Sequence, residues 1–400
     1  MNSRYINESN GSDMNVGSIN NKSLNIGVVA HFAYGAMSGG ESGHIGGVER
    51  QTSLMCRWLA ERGHRVSLIT WDEDQQDDCI LHGVRVIKMC RQDAGLPGLR
   101  FFSPRWTSLV RAMKRADADV YYQNCAEYVT GQVAMWCRQR GRGFVYSVAS
   151  DPDCDPRLPA MSTLRERVLY RYGLRHADRI IAQTGRQQGM LRDGFGLESV
   201  VLPMPCPGPS ESEFLKPQEP SPGSCHVLWA GRIAPVKRLE LLIDVARALP
   251  SATFHVAGMP YVGDQYSKSV LEQAHAQKNV KVHGMVPRHL MPELYRNVSS
   301  LCCTSLYEGF PNTFLEAWSH GLPIVSTVDP DNLIATRGLG IAATGEKELV
   351  AAIRRLVESP AYWRELSVNA RHYFLENHAI NPVMQRFEQL FMDVAREKKQ

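Results

Sequence analysis

At 400 residues, with 44% hydrophobic and 22% charged positions, the chain is about two typical domains long and has apolar content for two cores. Its formal charge of +4 is the residue of nearly balanced totals, 45 basic against 41 acidic side chains, so no bulk attraction to nucleic acid follows and any basic patch is local. Ten cysteines stand as singletons apart from the Cys302-Cys303 pair, with no C-x-x-C or zinc spacing, which argues for a reducing, cytoplasmic compartment.

The first 23 residues are rich in Asn and Ser, carry no apolar leader core, and read as a disordered tail. No window reaches the roughly 18 apolar residues of a membrane span, so a soluble or peripheral protein is expected. From Leu24 onward, short β-branched runs (LNIGVVA, RVSLITW, VRVIKMC, DVYYQNC, GFVYSVAS, RIIAQT) alternate with longer amphipathic stretches such as GVERQTSLMCRWLAERG. That alternation predicts βαβ units around a parallel sheet buried on both faces. The first run is followed by HFAYGAMSGGESGHIGGVER, a loop with six glycines, in which Gly46 and Gly47 would bring backbone close to a ligand; an ordinary flexible connection is the alternative. His31 and His44 in it are candidate ligand contacts.

Further along, VYSVASDPDCDP sets Asp151, Asp153 and Asp155 just past a strand, where open α/β sheets bind ligands. A D-x-D run is also a metal-binding signature, but the DAD at 117–119 shows how cheaply it arises, and no metal site is expected. The segment STLRERVLYRYGLRHADR predicts a basic helix, with Arg165, Arg167, Arg171, Arg175 and Arg179 interleaved with apolar residues. It could lie on an anionic membrane surface, or present a solvated face over a core-facing stripe.

The rhythm breaks between Pro203 and Ser224, where seven prolines fall within 22 residues, an inter-domain linker by composition. It resumes with HVLWAG, RLELLIDVARAL, ATFHVAG, VKVHGMV, SLCCTS, NTFLEAWSHG and PIVST, so two doubly wound domains in tandem are expected. Beyond Val350 the period is helical throughout. The last helix carries one apolar stripe, Val383, Phe387, Leu390, Phe391 and Val394, suited to packing across a domain boundary.

Two strand-to-helix junctions of the second half are chemically loaded. In WAGRIAPVKRLE, Gly231 and Arg232 leave a strand and Lys237 follows at the start of a helix. In SLYEGFPNTFLEAW, Glu308 precedes a helix beginning at Pro311 or Asn312, and Glu316 lies one turn inside it. The first-turn amides of such a helix favour an anion by about 0.3–2 kcal/mol, and with Arg232 and Lys237 they suit a diphosphate. The two carboxylates, on either side of that seat, could take vicinal hydroxyls. For Glu316 the alternative is structural, since Thr313 to Glu316 also fits a capping box.

These segments, GRIAPVKRLELLIDVA and SLYEGFPNTFLEAWSHGLPIVS, resemble the two signature segments of retaining glycosyltransferases of the GT4 family, which have the GT-B fold; Glu308 and Glu316 match the family's E-x7-E pattern. GGVERQ, Gly46 to Gln51, resembles its N-terminal glycine loop. The resemblance implies transfer of a sugar from a nucleotide-sugar donor to a glycan or lipid-linked acceptor, with retention at the anomeric carbon and no metal or other cofactor. It implies that Arg232 and Lys237 neutralise the leaving diphosphate, that Glu316 holds the ribose and Glu308 the donor sugar, and that amides of Gly309, Phe310, Pro311–Asn312 and Thr313 seat phosphate and sugar. Gly46 and Gly47 would then face the acceptor. Many relatives carry a His at the strand end where this chain reads Ala149-Ser150, so Asp151 or Asp153 is expected to orient the acceptor hydroxyl or help remove its proton. The domain layout expected is a tail over 1–23, an acceptor domain over 24–204, a linker over 205–223, a donor domain over 224–378 and a crossover helix over 379–400. An epimerase or phosphorylase of the same fold and a non-catalytic nucleotide-sugar-binding protein are the rival readings; no recognised nucleic-acid motif is present.

Overall fold

The computed structural model describes residues 23–39, 46–260 and 264–400. Apart from Ser23, the tail expected over residues 1–23 lies outside them, as does His44. Strands β1 (Asn25–Val29), β2 (Arg65–Thr70), β3 (Cys79–Leu81), β4 (Val84–Lys88), β5 (Val120–Asn124), β6 (Gly143–Ser147), β7 (Arg179–Ala182) and β8 (Val200–Val201) form the first sheet, in the order β3-β4-β2-β1-β5-β6-β7-β8. All its neighbours are parallel except β3, which returns on β4 through a two-residue turn, His82-Gly83, with both φ values positive, the twist such hairpins require.

The second sheet contains β9 (Cys225–Ala230), β10 (Ala252–Ala257), β11 (Val280–Gly284), β12 (Ser300–Cys303), β13 (Ile324–Ser326) and β14 (Gly340–Ala342), ordered β11-β10-β9-β12-β13-β14 and parallel throughout. In both sheets the strand order reverses beside the first strand, between β1 and β5 and between β9 and β12. Loops leaving neighbouring strands part at such a point, and a crevice opens at their carboxyl ends. The sequence pattern therefore gives the tandem α/β architecture, and the order of the strands places its two crevices.

The last helix, Ile380–Glu397, crosses back to the first sheet. Its stripe is buried with Ile26, Val28 and Val120 of that sheet, and Phe391 packs edge-on to Tyr122 with ring centres 5.9 Å apart. Each large apolar side chain so buried contributes roughly 1.5–3 kcal/mol. Polar pairs fix the register: Trp58 Nε1 donates to Asn381 Oδ1 at 2.9 Å, and the buried Glu388 meets His64 Nε2 at 2.8 Å and Arg62 at 3.5 Å. A carboxylate buried this deeply needs such partners, since its desolvation would otherwise cost several kcal/mol.

The chain thus passes between the sheets twice, and the two passages run side by side. The Cys206 amide donates to the carbonyl of His378 at 2.9 Å, and the His378 imidazole reaches the Met204 carbonyl at 3.0 Å. Burial among Phe310, Trp318 and Tyr373 pushes the His378 pKa down from 6.5 to about 4, so the folded protein keeps it neutral. Below about pH 6.5 the unfolded chain takes up a proton that the fold refuses, so this stability is full above pH 6.5 and is lost as pH falls toward 4. Urea midpoints measured from pH 7 to pH 4.5 are expected to fall more shallowly for His378→Gln than for the wild type; parallel declines would show that His378 titrates normally in the fold.

Candidate active site between the two sheets

The two crevices face each other across one cavity of about 1460 Å³. That exceeds the roughly 300–1,000 Å³ of an ordinary small-molecule pocket and leaves room for two substrates. Its wall includes Gly46 and Gly47 after β1, Asn124 at the end of β5, Gly231, Arg232 and Lys237 after β9, and Glu308, Gly309, Phe310, Pro311, Asn312, Thr313 and Glu316 after β12. Five basic side chains (Arg50, Arg232, Lys237, Arg288, Arg296) line it against three acidic ones (Glu213, Glu308, Glu316), so the cavity favours an anion although the whole chain is nearly neutral.

Lys237 does not open a helix, as the sequence suggests. It ends a 3-10 turn, Pro235–Lys237, and the helix Leu239–Ala248 starts after Arg238, which sits in the left-handed region at φ 48°. For a residue with a Cβ this conformation costs of order 1–3 kcal/mol, and it is held by what the guanidinium does. Arg238 donates to the carbonyls of Thr304 at 2.6 Å and Ser305 at 3.2 Å and to Thr327 Oγ1 at 3.0 Å. Thr304 Oγ1 returns a bond to the Lys237 carbonyl at 2.7 Å, and the Leu306 amide donates to the Val236 carbonyl at 2.8 Å. The loops after β9 and β12 are thereby one rigid unit. In it the Lys237 ammonium bonds Glu308, which also accepts from Ser305 Oγ at 2.6 Å.

The helix Asn312–Ser319 starts after Pro311, with no side-chain cap at its first turn. Thr313 is its second residue, so a capping box from Thr313 to Glu316 does not form. Glu316 instead accepts the Tyr295 hydroxyl at 2.8 Å on the cavity wall, and Tyr295 stacks on His320 with ring centres 5.2 Å apart. Burial and the Glu316 charge hold the Tyr295 phenol well above its ordinary pKa, and burial lowers that of His320, so at neutral pH Tyr295 stays a donor and the imidazole stays uncharged.

From the first domain the helix Gly47–Glu61 points its N-terminus at this one. Gln51 Nε2 donates to Asn312 Oδ1 at 2.8 Å, and a Cβ on Gly47 would come within 2.3 Å of the Asn312 side-chain nitrogen. A Cβ on Gly309 would lie 3.0 Å from the Ala149 carbonyl and 3.2 Å from Ser150 Cα. Asp331 of the second domain also accepts the amides of Gly185 at 2.6 Å and Arg186 at 3.0 Å, at the start of a first-domain helix. The domains therefore touch on both sides of the cleft.

The carboxylates expected on the acceptor side are not on the cavity wall. Asp153 turns inward, 6% exposed, and accepts the Ala149 amide at 2.8 Å and Ser150 Oγ at 2.9 Å; burial raises its pKa. Asp151 is held by Gln187 Nε2 at 3.3 Å and Arg186 Nε at 3.1 Å. Both brace the turn after β6, so the acceptor and proton-removal roles expected of them do not fit. His31 likewise lies outside the main cavity. Tyr295 and Arg238 had no signal in the sequence, because each works through a partner distant along the chain, and Ser305, three residues before Glu308, stood in no recognised pattern. Gln51 stands inside the quoted GGVERQ and was legible only as part of that string.

Two family models match in tandem and together span about three quarters of the chain. One, described as Glycosyl transferase 4-like domain, covers residues 46–207, and the other, Glycosyl transferases group 1, covers 224–359. Mannosylfructose-phosphate synthase of Agrobacterium fabrum is 27% identical over 183 residues, 41% of this chain and 39% of that protein. Alpha-galactosylglucosyldiacylglycerol synthase of Streptococcus pneumoniae is 29% identical over 151 residues, 36% and 40% respectively. The matched stretch thus spans about 40% of the length of these curated relatives. Sucrose-phosphate synthase of Thermosynechococcus elongatus superposes with a TM-score of 0.74 at 17% identity, covering 92% of this chain and 98% of that one. Anabaena HepE, solved with UDP and glucose, gives 0.70 at 18%, covering 92% and 99%.

Gly309→Val puts a branched side chain into the contact with Ala149 and Ser150. Small-angle scattering is expected to show a larger radius of gyration for this variant, with circular dichroism unchanged. An unaltered radius would mean that the two domains do not meet there in solution.

Proposed function

The chain belongs to the GT4-type glycosyltransferases, on the GT-B fold, and on that premise we propose that it moves a sugar from a nucleotide-diphosphate sugar to a hydroxyl of a glycan or lipid-linked acceptor, retaining the anomeric configuration. The observation that carries this is the convergence of Arg232, Lys237 and the uncapped N-terminus of helix Asn312–Ser319 on one inter-domain cavity, with Glu308 and Glu316 on its wall.

The donor diphosphate lies against the first-turn amides of that helix, whose partial positive charge is preorganised and needs no reorientation during the reaction. Arg232 and Lys237 neutralise the charge that builds as the bond between the anomeric carbon and the phosphate oxygen breaks. Lys237 is paired with Glu308. An arriving diphosphate competes for the ammonium and releases carboxylate capacity for the sugar hydroxyls, which couples donor binding to sugar recognition. Glu316, oriented by Tyr295, takes the ribose diol. The acceptor oxygen forms the new bond on the face the nucleotide leaves, and its proton passes to a phosphate oxygen. With neither Asp151 nor Asp153 on the cavity wall, no side chain is assigned as the base. A role in polysaccharide or glycoconjugate synthesis is the setting this chemistry suits.

Nucleoside-diphosphate release from UDP-, GDP- and ADP-sugars is the direct assay. For the sugar that turns over, Arg232→Ala is expected to slow release by roughly 10²–10³-fold, about 2.7–4 kcal/mol. Glu316→Ala should abolish it, with circular dichroism unchanged in both. A fully active Glu316→Ala protein would remove the assignment. Isomerisation of the donor sugar without transfer would favour the epimerase reading.

A further inference from the structure

A second cavity, of about 280 Å³, opens on the first domain and shares no lining residue with the cleft. It sits at the carboxyl end of the first sheet, between His31 and Phe32 after β1, Trp71 after β2, Gln92 after β4 and Glu127 and Tyr128 after β5. Ser162 and Glu166, at the start of the helix Leu164–Arg175, close one wall and Arg105 another. His31, 7% exposed, stacks on Trp71 with ring centres 4.2 Å apart, and its Nδ1 lies 3.3 Å from Glu127. His31 Nε2 and Trp71 Nε1 are both buried without a partner in the protein. Folded proteins leave few such groups, and both belong to residues that line this cavity.

The chemistry of the wall narrows what that ligand is. The volume is at the lower edge of the roughly 300–1,000 Å³ range of small-molecule sites, which admits one ring-sized unit and excludes a nucleotide. Two carboxylates face one guanidinium, and Arg105 donates to the Gln92 carbonyl at 2.6 Å, so an anion is disfavoured. Carboxylates, an amide and a hydroxyl beside aromatic faces suit a polyhydroxylated ring with an apolar face. Asn124 lines the cleft and Ala126 the second cavity, so the two open on either side of the end of β5.

We propose that this cavity binds one neutral glycosyl unit of the acceptor, set back along the chain from the hydroxyl that reacts in the cleft. The inference rests on the transferase reading above and makes the acceptor an oligosaccharide rather than a free monosaccharide. The segments that supply Gln92, Arg105, Ser162 and Glu166 to this cavity also carry exposed Leu96, Leu99, Phe102 and Leu164, and Arg165 lies over Phe101 at 4.0 Å. A lipid-linked glycan and a soluble one therefore share the same sugar contact and differ only in what meets these segments.

The test is saturation-transfer NMR on the full chain with saturating UDP, using trisaccharides of glucose, galactose and N-acetylglucosamine as probes. Transfer is expected from at least one trisaccharide. Affinity should fall roughly tenfold or more in Ala160→Trp, which fills the cavity from an exposed position, and in Glu127→Gln, which removes a charged acceptor while keeping its shape. Equal signals in the wild type and both variants, or no signal from any trisaccharide, overturn the subsite. Nucleotide binding, read by thermal shift in the same samples, reports on the cleft alone. Retained nucleotide binding with no trisaccharide signal sinks the subsite and leaves the transferase reading standing. Octyl glycosides of the same sugars assign the source: tighter binding than the free sugar marks a lipid-linked acceptor, and equal binding a soluble one, each with the subsite intact.

Discussion

The geometry of the cleft depends on one stitch, the Arg238 guanidinium bonded to Thr304, Ser305 and Thr327. It ties the loop after β9 to the loop after β12, and so fixes Lys237, Glu308 and the start of helix Asn312–Ser319 relative to one another. A diphosphate seat needs that rigidity: cations on separately mobile loops would have to be reorganised at each turnover, whereas charges held in place stabilise a transition state without that cost. The strained backbone of Arg238 is the local expense of the arrangement, and its three hydrogen bonds oppose it.

Around this rigid half the rest of the fold sets position. The helix Ile380–Glu397 belongs by sequence to the end of the chain and by packing to the first sheet, so the two passages at Cys206 and His378 form the joint on which the halves meet. Gly47 lets backbone approach the Asn312 side chain, and Gly309 lets backbone approach the Ala149 backbone, across the cleft where any added side chain would intervene. The small Ala149-Ser150 pair suits this contact and leaves space for Gly309.

Much of the architecture was legible because parallel strands buried on both faces read as short, largely apolar runs between turns, as β1, β6, β9 and β12 do. The edge strands β3, β8 and β14, of three residues or fewer, were not. The helix Tyr128–Arg140 was silent because it is buried almost all round, which erases the amphipathic signal. Arg232, Lys237, Glu308 and Glu316, picked out by local spacing, all line the one cavity. Asp151 and Asp153 were misjudged because position past a strand does not reveal which way a side chain turns, and Asp153 turns to cap its own loop. Tyr295 and Arg238 required the three-dimensional contacts.

The central claim is that a diphosphate is held where the start of helix Asn312–Ser319 faces the glycine loop of the first domain. Amide hydrogen exchange with and without saturating nucleoside diphosphate reads that place directly. The account predicts slowed exchange in Gly309–Phe314 and in the first turn of Gly47–Glu61, with little change in the first domain's outer sheet edge at β3. Nucleotide that binds and protects some other segment while leaving Gly309–Phe314 unchanged would contradict it.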